Sequence, residues 1–115
     1  MAALKVFTVK HGNIRIRIRL LPTAREVHLE HQRGYQRAIG ETVFGFFAPS
    51  RRTDAKIIGT IVIPLHKRLP EFIPHEVTHA VLHKMRCVAS LDDEAFATAV
   101  GILSARIARK IGAVS

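Results

Sequence analysis

The alternation of apolar and polar residues near the N-terminus predicts a β-hairpin. The segment IRIRIRL (14–20) places isoleucine and leucine on one face and three arginines on the other, as in a half-buried strand. Residues 4–9 alternate more weakly, and HGN (11–13) supplies a turn between the two segments. We therefore expect two strands that pair with each other.

The middle of the chain predicts one short helix and two further strands. TARE (23–26) has the form of a capping box, which favours a helix from about Ala24 to Gln32 that ends near Gly34. ETVFGFFA (41–48) and KIIGTIVIPL (56–65) have the composition of strands. The second is apolar on both faces, as expected if a helix covers it.

Two helices complete the predicted fold. The first runs from about Pro74 to Met85, with proline suited to the first turn. The second runs from Asp92 to about Ile111, with acidic residues at its start and basic residues at its end. We expect one α+β domain over residues 1–115, with a small antiparallel sheet of about four strands packed on these two helices.

Composition restricts the class of protein. A chain of 115 residues with 48% hydrophobic residues suits one globular domain, and its apolar runs are too short to cross a membrane. The single cysteine, Cys87, excludes an internal disulfide and favours a cytoplasmic protein with Cys87 in a structural role. The net charge of +9 favours nonspecific attraction to nucleic acid, but it does not choose among acidic partners.

The segment HEVTH (75–79) carries the candidate chemistry. Histidines four residues apart on a helix point the same way, so His75 and His79 can bind one metal ion. Glu76 is placed to act as a general base toward water at that ion. The spacing therefore predicts a Zn²⁺ site.

A catalytic zinc site usually has a third protein ligand. His83 lies two turns from His75 on the same helix, which is too far for one ion. Asp92, Asp93 and Glu94 open the following helix and can supply a carboxylate from a second direction. We favour Glu94 over Asp93 because of its longer reach, and we expect the small residues at 95, 97 and 98 to let the two helices approach closely.

Taken with the segment DEAFATAVG (93–101), HEVTH resembles the gluzincin metallopeptidases. Their second-helix pattern, a glutamate followed by a polar residue four positions later and a glycine seven positions later, falls here on Glu94, Thr98 and Gly101. The chain is similar to compact members found in phages and to the ImmA/IrrE type, over roughly residues 56–105. It departs from larger members in having Thr98 where aspartate is common.

The resemblance implies a zinc-dependent endopeptidase acting on a protein or peptide. Its zinc would be held by His75, His79 and Glu94, with Glu76 as general base. It further implies that the strand before the active helix, here Gly59 to Ile63, binds substrate by edge pairing. An oxyanion stabiliser is not evident from the sequence, the candidates being Tyr35, His66 and His83.

Two other interpretations stay open at this point. The chain can be a non-catalytic, basic zincin-like module that binds nucleic acid or a host protein. Alternatively, the histidine spacing is a coincidence and no metal binds. An intact Glu76 favours catalysis, because a purely structural zinc site does not need a general base.

Overall fold

A computed structural model of the protein describes residues 3–34, 39–42, 45–51, 56–87 and 93–112. Its elements in chain order are β1 (Lys5–His11), β2 (Ile14–Leu21), α1 (Ala24–Gly34), β3 (Ile39–Thr42), β4 (Gly45–Pro49), β5 (Gly59–Pro64), α2 (Leu69–Cys87) and α3 (Asp93–Gly112). The predicted α+β class is confirmed.

The predicted N-terminal hairpin is confirmed, with β1 two residues longer at its end than the predicted strand. β1 and β2 pair antiparallel from Lys5 opposite Leu20 to His11 opposite Ile14. Gly12 has a φ of 60°, which a two-residue hairpin turn needs and which glycine adopts without steric cost.

The sheet is mixed and has five strands in the order β1-β2-β5-β4-β3. This differs from the antiparallel sheet of about four strands expected from the sequence, because β5 runs parallel to β2. Between these two strands the chain passes through α1 and the β3–β4 pair, and it then re-enters the sheet beside β2 in the same direction. Alternation within each strand carries no information about this long-range pairing.

The single strand predicted over residues 41–48 is two strands. β3 and β4 pair antiparallel, with Thr42 opposite Gly45. Gly45 has a φ of 151°, a backbone conformation that residues with a side chain rarely adopt. The glycine in the apolar run therefore marks the start of a new strand rather than the interior of one.

Helices cover both faces of the sheet. On one face, the isoleucines of β2 and β5 pack with Phe47 of β4 and with the apolar sides of α2 and α3. On the other face, Val27 of α1 packs with Leu21, Phe46 and Val62. The prediction that a helix covers the strand at 56–65 is confirmed, since β5 is covered on both faces.

Helix α2 begins one turn earlier than predicted. It starts at Leu69, so that Pro70 occupies the first turn and Pro74 lies inside the helix. The Nδ1 atom of His66 accepts a hydrogen bond from the backbone N–H of Arg68 at 3.0 Å. This bond satisfies a backbone donor just before the helix.

Helix α3 packs through Ala99, Leu103, Ile107 and Ile111, which recur every four residues and are buried. The small residues expected to face α2 do not all do so, since Ala97 and Thr98 are exposed. Gly101 is also exposed, and a methyl group added there would meet no atom within 4 Å. Across the described ranges, no helix is long and apolar enough to cross a membrane.

Candidate metal centre

Helix α2 brings His75, Glu76 and His79 together at one point on its surface. The two imidazole rings lie one turn apart, with ring centroids 4.9 Å from each other and planes at 76°. The His75 side chain is 52% exposed, and Nε2 of His75 lies 3.7 Å from Oε1 of Glu76. The three side chains thus form one cluster, which opens to solvent at His75.

Glu76 is the unusual member of this cluster. It is 1% exposed, and it stands alone among the buried residues of the described core in being charged or polar. Neither of its carboxylate oxygens has a hydrogen-bond partner within the described part of the chain. A buried carboxylate without partners costs free energy of folding, so its presence favours a role in binding or catalysis over one in stability.

Burial shifts the proton affinity of two members of the cluster. Desolvation raises the pKa of Glu76 from 4.5 to about 8, because its surroundings disfavour the ionised form. Desolvation, and secondarily the charge of His75, lowers the pKa of His79. A lowered pKa keeps the His79 ring neutral at neutral pH, and the neutral ring is the form that binds metals.

Strand β4 closes over Glu76 at a glycine. A methyl group placed on Gly45 would lie 3.6 Å from Cγ of Glu76, but only 2.9 Å from the backbone oxygen of Val62. The sheet therefore approaches α2 closely at this point, which removes water from the Glu76 carboxylate. The sequence analysis missed this role of Gly45, for which the only indication was a glycine inside an apolar run.

The structure does not bring Glu94 into the cluster. Glu94 is exposed in the first turn of α3. No three His, Cys, Asp or Glu side chains in the described ranges are grouped closely enough to hold a metal ion. Of the alternative ligands, Asp92 lies outside the described residues, and the side chain of Asp93 is not described. The identity of the third ligand therefore stays a prediction.

No family model matches this sequence, and comparisons with curated proteins and with solved structures also return no match.

The other candidate histidines contact aromatic rings. The His83 ring lies 5.7 Å from the ring of Phe47, centroid to centroid, and the His66 ring lies 5.6 Å from that of Phe72. With its Nδ1 atom bound to the backbone before α2, His66 has a structural role. Tyr35, the third candidate oxyanion stabiliser, lies outside the described residues, as does the side chain of Cys87.

The strand expected to bind substrate has no free edge. β5 pairs with β2 on one side and with β4 on the other, which includes both ends of the Gly59–Ile63 segment. The prediction of edge pairing at this segment is therefore wrong. Its apolar character on both faces results from a central position in the sheet, where both faces are buried.

Proposed function

We propose that the protein is a zinc-dependent metallopeptidase of the gluzincin type, with Glu76 as its general base. The observation that carries this proposal is the buried Glu76 carboxylate, which lies 3.7 Å from the His75 imidazole and has no hydrogen-bond partner among the described residues. A carboxylate that serves only as a surface charge or a helix residue has no need of such a position. A carboxylate that removes a proton within a shielded site does.

Two of the residues present suit a zinc ion, since His75 and His79 offer ring nitrogens from adjacent turns. Glu94, which the structure leaves outside their cluster, is our proposed third ligand. When bound, zinc would polarise a peptide carbonyl, lower the pKa of a nearby water and favour the ionised form of Glu76.

The protein's own contribution to the reaction is the handling of the proton. Glu76 takes a proton from the attacking water and delivers it to the leaving amine of the cleaved peptide bond. The close approach of β4 at Gly45 excludes bulk water from the carboxylate, which strengthens its electrostatic interactions with the reacting groups.

The non-catalytic zincin-like module for nucleic acid or a host protein is the second candidate. Such a module would use the two histidines to bind zinc. It would not need a buried carboxylate beside them that has no hydrogen-bond partner among the described residues. The position of Glu76 therefore favours the enzyme. We further propose that it acts in the cytoplasm, as the single cysteine suggests.

The proposed peptide site is the outer edge of β3, which has no partner strand in the described part of the chain, rather than β5. β3 is an edge strand whose partner in the sheet is β4, and β4 begins at Gly45 beside Glu76. The opposite edge strand, β1, already has the backbone oxygens of Thr8 and Lys10 bound by side chains of α3. An extended peptide that adds to β3 would lie on the side of the sheet nearer Glu76.

Peptide hydrolysis by the purified, zinc-loaded protein tests the proposal. A peptide library incubated with wild type should yield cleaved products, and Glu76→Gln should lower the rate by at least 100-fold while keeping the zinc. Glu71→Gln is the matched control, because Glu71 is an exposed glutamate on the same helix. Equal cleavage by wild type and Glu76→Gln would overturn the role of Glu76, and zinc binding without cleavage would favour the module.

A further inference from the structure

The outer face of the β1–β2 hairpin carries basic side chains, several of which form no ion pair within the described ranges. Residues directly opposite each other on paired strands face the same side of the sheet. Lys10 lies opposite Arg15, and Thr8 lies opposite Arg17. Lys10, Arg15 and Arg17 therefore share one face, which we call the hairpin face.

The hairpin face lies on the side of the sheet covered by α1, but α1 does not cover it. The isoleucines that alternate with these arginines pack toward α2 and α3. Helix α1 packs on β2, β4 and β5, and Glu30 of α1 binds Arg19 with a contact of 2.8 Å. Lys10 and Arg17 of the hairpin face are exposed, and Arg15 is half-buried.

Within the described ranges, no acidic side chain pairs with the cations of the hairpin face. The first acidic residue in the sequence is Glu26. Lys10, Arg15 and Arg17 form no ion pair within the described ranges. Like charges directly opposite each other in a sheet are destabilising, so the Lys10–Arg15 pair is a feature that folding does not favour and that a bound anion would relieve.

The positive surface continues around the edge of the sheet. Arg106 donates a hydrogen bond to the backbone oxygen of Lys10. Lys110 donates one to the backbone oxygen of Thr8 at 3.3 Å. Both side chains come from α3 on the opposite face, so their charges lie at the rim of the hairpin face and extend it.

We propose that the hairpin face binds the phosphate backbone of nucleic acid. Guanidinium groups match phosphate oxygens through paired hydrogen bonds, and the charges are spread along a strand rather than gathered around a single anion. The aromatic ring of the hairpin, Phe7, faces α3 and lies under Lys110 at 5.5 Å. Binding at this face therefore depends on phosphates rather than on base stacking and is independent of sequence.

The main competing occupant is a membrane with anionic lipids, since Val6 on this face and Leu4 beside it are exposed. Membrane-surface elements usually combine basic residues with several large apolar or aromatic side chains. Here three arginine or lysine side chains accompany one valine on the face. This balance favours nucleic acid, and vesicle binding becomes an outcome of the test.

The test is binding of a labelled duplex DNA of mixed sequence to the full-length protein across a range of salt concentrations. Three phosphate contacts predict a slope of log affinity against log salt of about −3, and Arg15→Gln/Arg17→Gln should reduce its magnitude by about 2. Arg25→Gln/Lys67→Gln is the matched control, since it removes the same charge from exposed residues away from the hairpin face. It should leave the slope nearly unchanged.

Three results would overturn the proposal. They are no DNA binding at low salt, an equal loss in the control pair, and binding to phosphatidylserine vesicles without binding to DNA. If the double variant does not fold, Lys10→Gln and Arg17→Gln, both exposed, are measured singly and should each reduce the slope by about 1. Chelator should not alter DNA binding, because the hairpin face and α2 lie on opposite faces of the sheet.

Discussion

At the scale of single residues, Glu76 distinguishes this chain from an ordinary α+β domain. Most carboxylates of proteins stay in contact with water, and those that do not are nearly always paired. Glu76 is buried, and neither of its carboxylate oxygens has a hydrogen-bond partner among the described residues. The helical spacing predicted that Glu76 would adjoin the two histidines, but burial depends on how β4 packs against α2, which no local pattern specifies.

The raised pKa of Glu76 predicts a pH dependence of folding stability in the metal-free protein. Between pH 4.5 and about 8 the unfolded chain has lost this proton while the folded chain retains it. The free energy of unfolding therefore falls as pH rises through this window. Glu76→Gln removes the titration, so its stability relative to wild type should increase by about 3 kcal/mol between pH 4.5 and pH 7.

Urea unfolding in the presence of chelator, at a series of pH values, measures this difference. Glu71→Gln serves as the control, since the side chain of Glu71 is 62% exposed and binds Arg68 at the surface. A stability difference between Glu76→Gln and wild type that stays constant with pH would show that the carboxylate is not desolvated.

At the scale of elements, the strongly patterned segments were predicted well and the interrupted ones were not. The alternation of apolar and polar residues in β2 predicted the hairpin correctly. The cap at Thr23 predicted the start of α1, where the N–H of Glu26 donates a hydrogen bond to Oγ1 of Thr23 at 3.3 Å. The error at residues 41–48 arose because a glycine was treated as part of a strand. A glycine inside an apolar run can mark a turn, a bulge or a close approach, and only tertiary packing decides among them.

The close packing of Gly45 of β4 against the backbone of β5 gives a prediction at this scale. Gly45→Ala places a methyl group 2.9 Å from the backbone oxygen of Val62 at a strained φ, so it should destabilise the protein by about 1–3 kcal/mol. Gly101→Ala is the matched control. It lies in the exposed interior of α3 with open space around it, so it should stabilise the protein by about 0.5–1 kcal/mol.

Thermal unfolding of the two variants measures these effects. Gly45→Ala should also alter the environment of Glu76, visible as a changed pH dependence of stability. Equal stability of Gly45→Ala and Gly101→Ala would contradict the close approach of Gly45 to the backbone of β5.

At the scale of the whole molecule, the sheet separates two surfaces of different chemistry. One face carries α2 with the histidine cluster, and the other carries the cations of the hairpin face. The net charge indicated an attraction to anions, but it did not locate the charge, because location depends on which strands lie at the edge. The strand order likewise places β5 inside the sheet and β3 at its edge, so the strand proposed to pair with substrate is β3 rather than β5.

We propose that His75 and His79 hold a zinc ion, and the zinc content of the protein tests this proposal most directly. Protein purified without a histidine tag should contain one zinc per chain by inductively coupled plasma mass spectrometry. His79→Ala and Glu94→Ala should lose or weaken that zinc, whereas Glu76→Gln and His28→Ala, which changes an exposed histidine on α1, should retain it. Wild-type protein without zinc, or zinc retained in full by His79→Ala, would contradict the account.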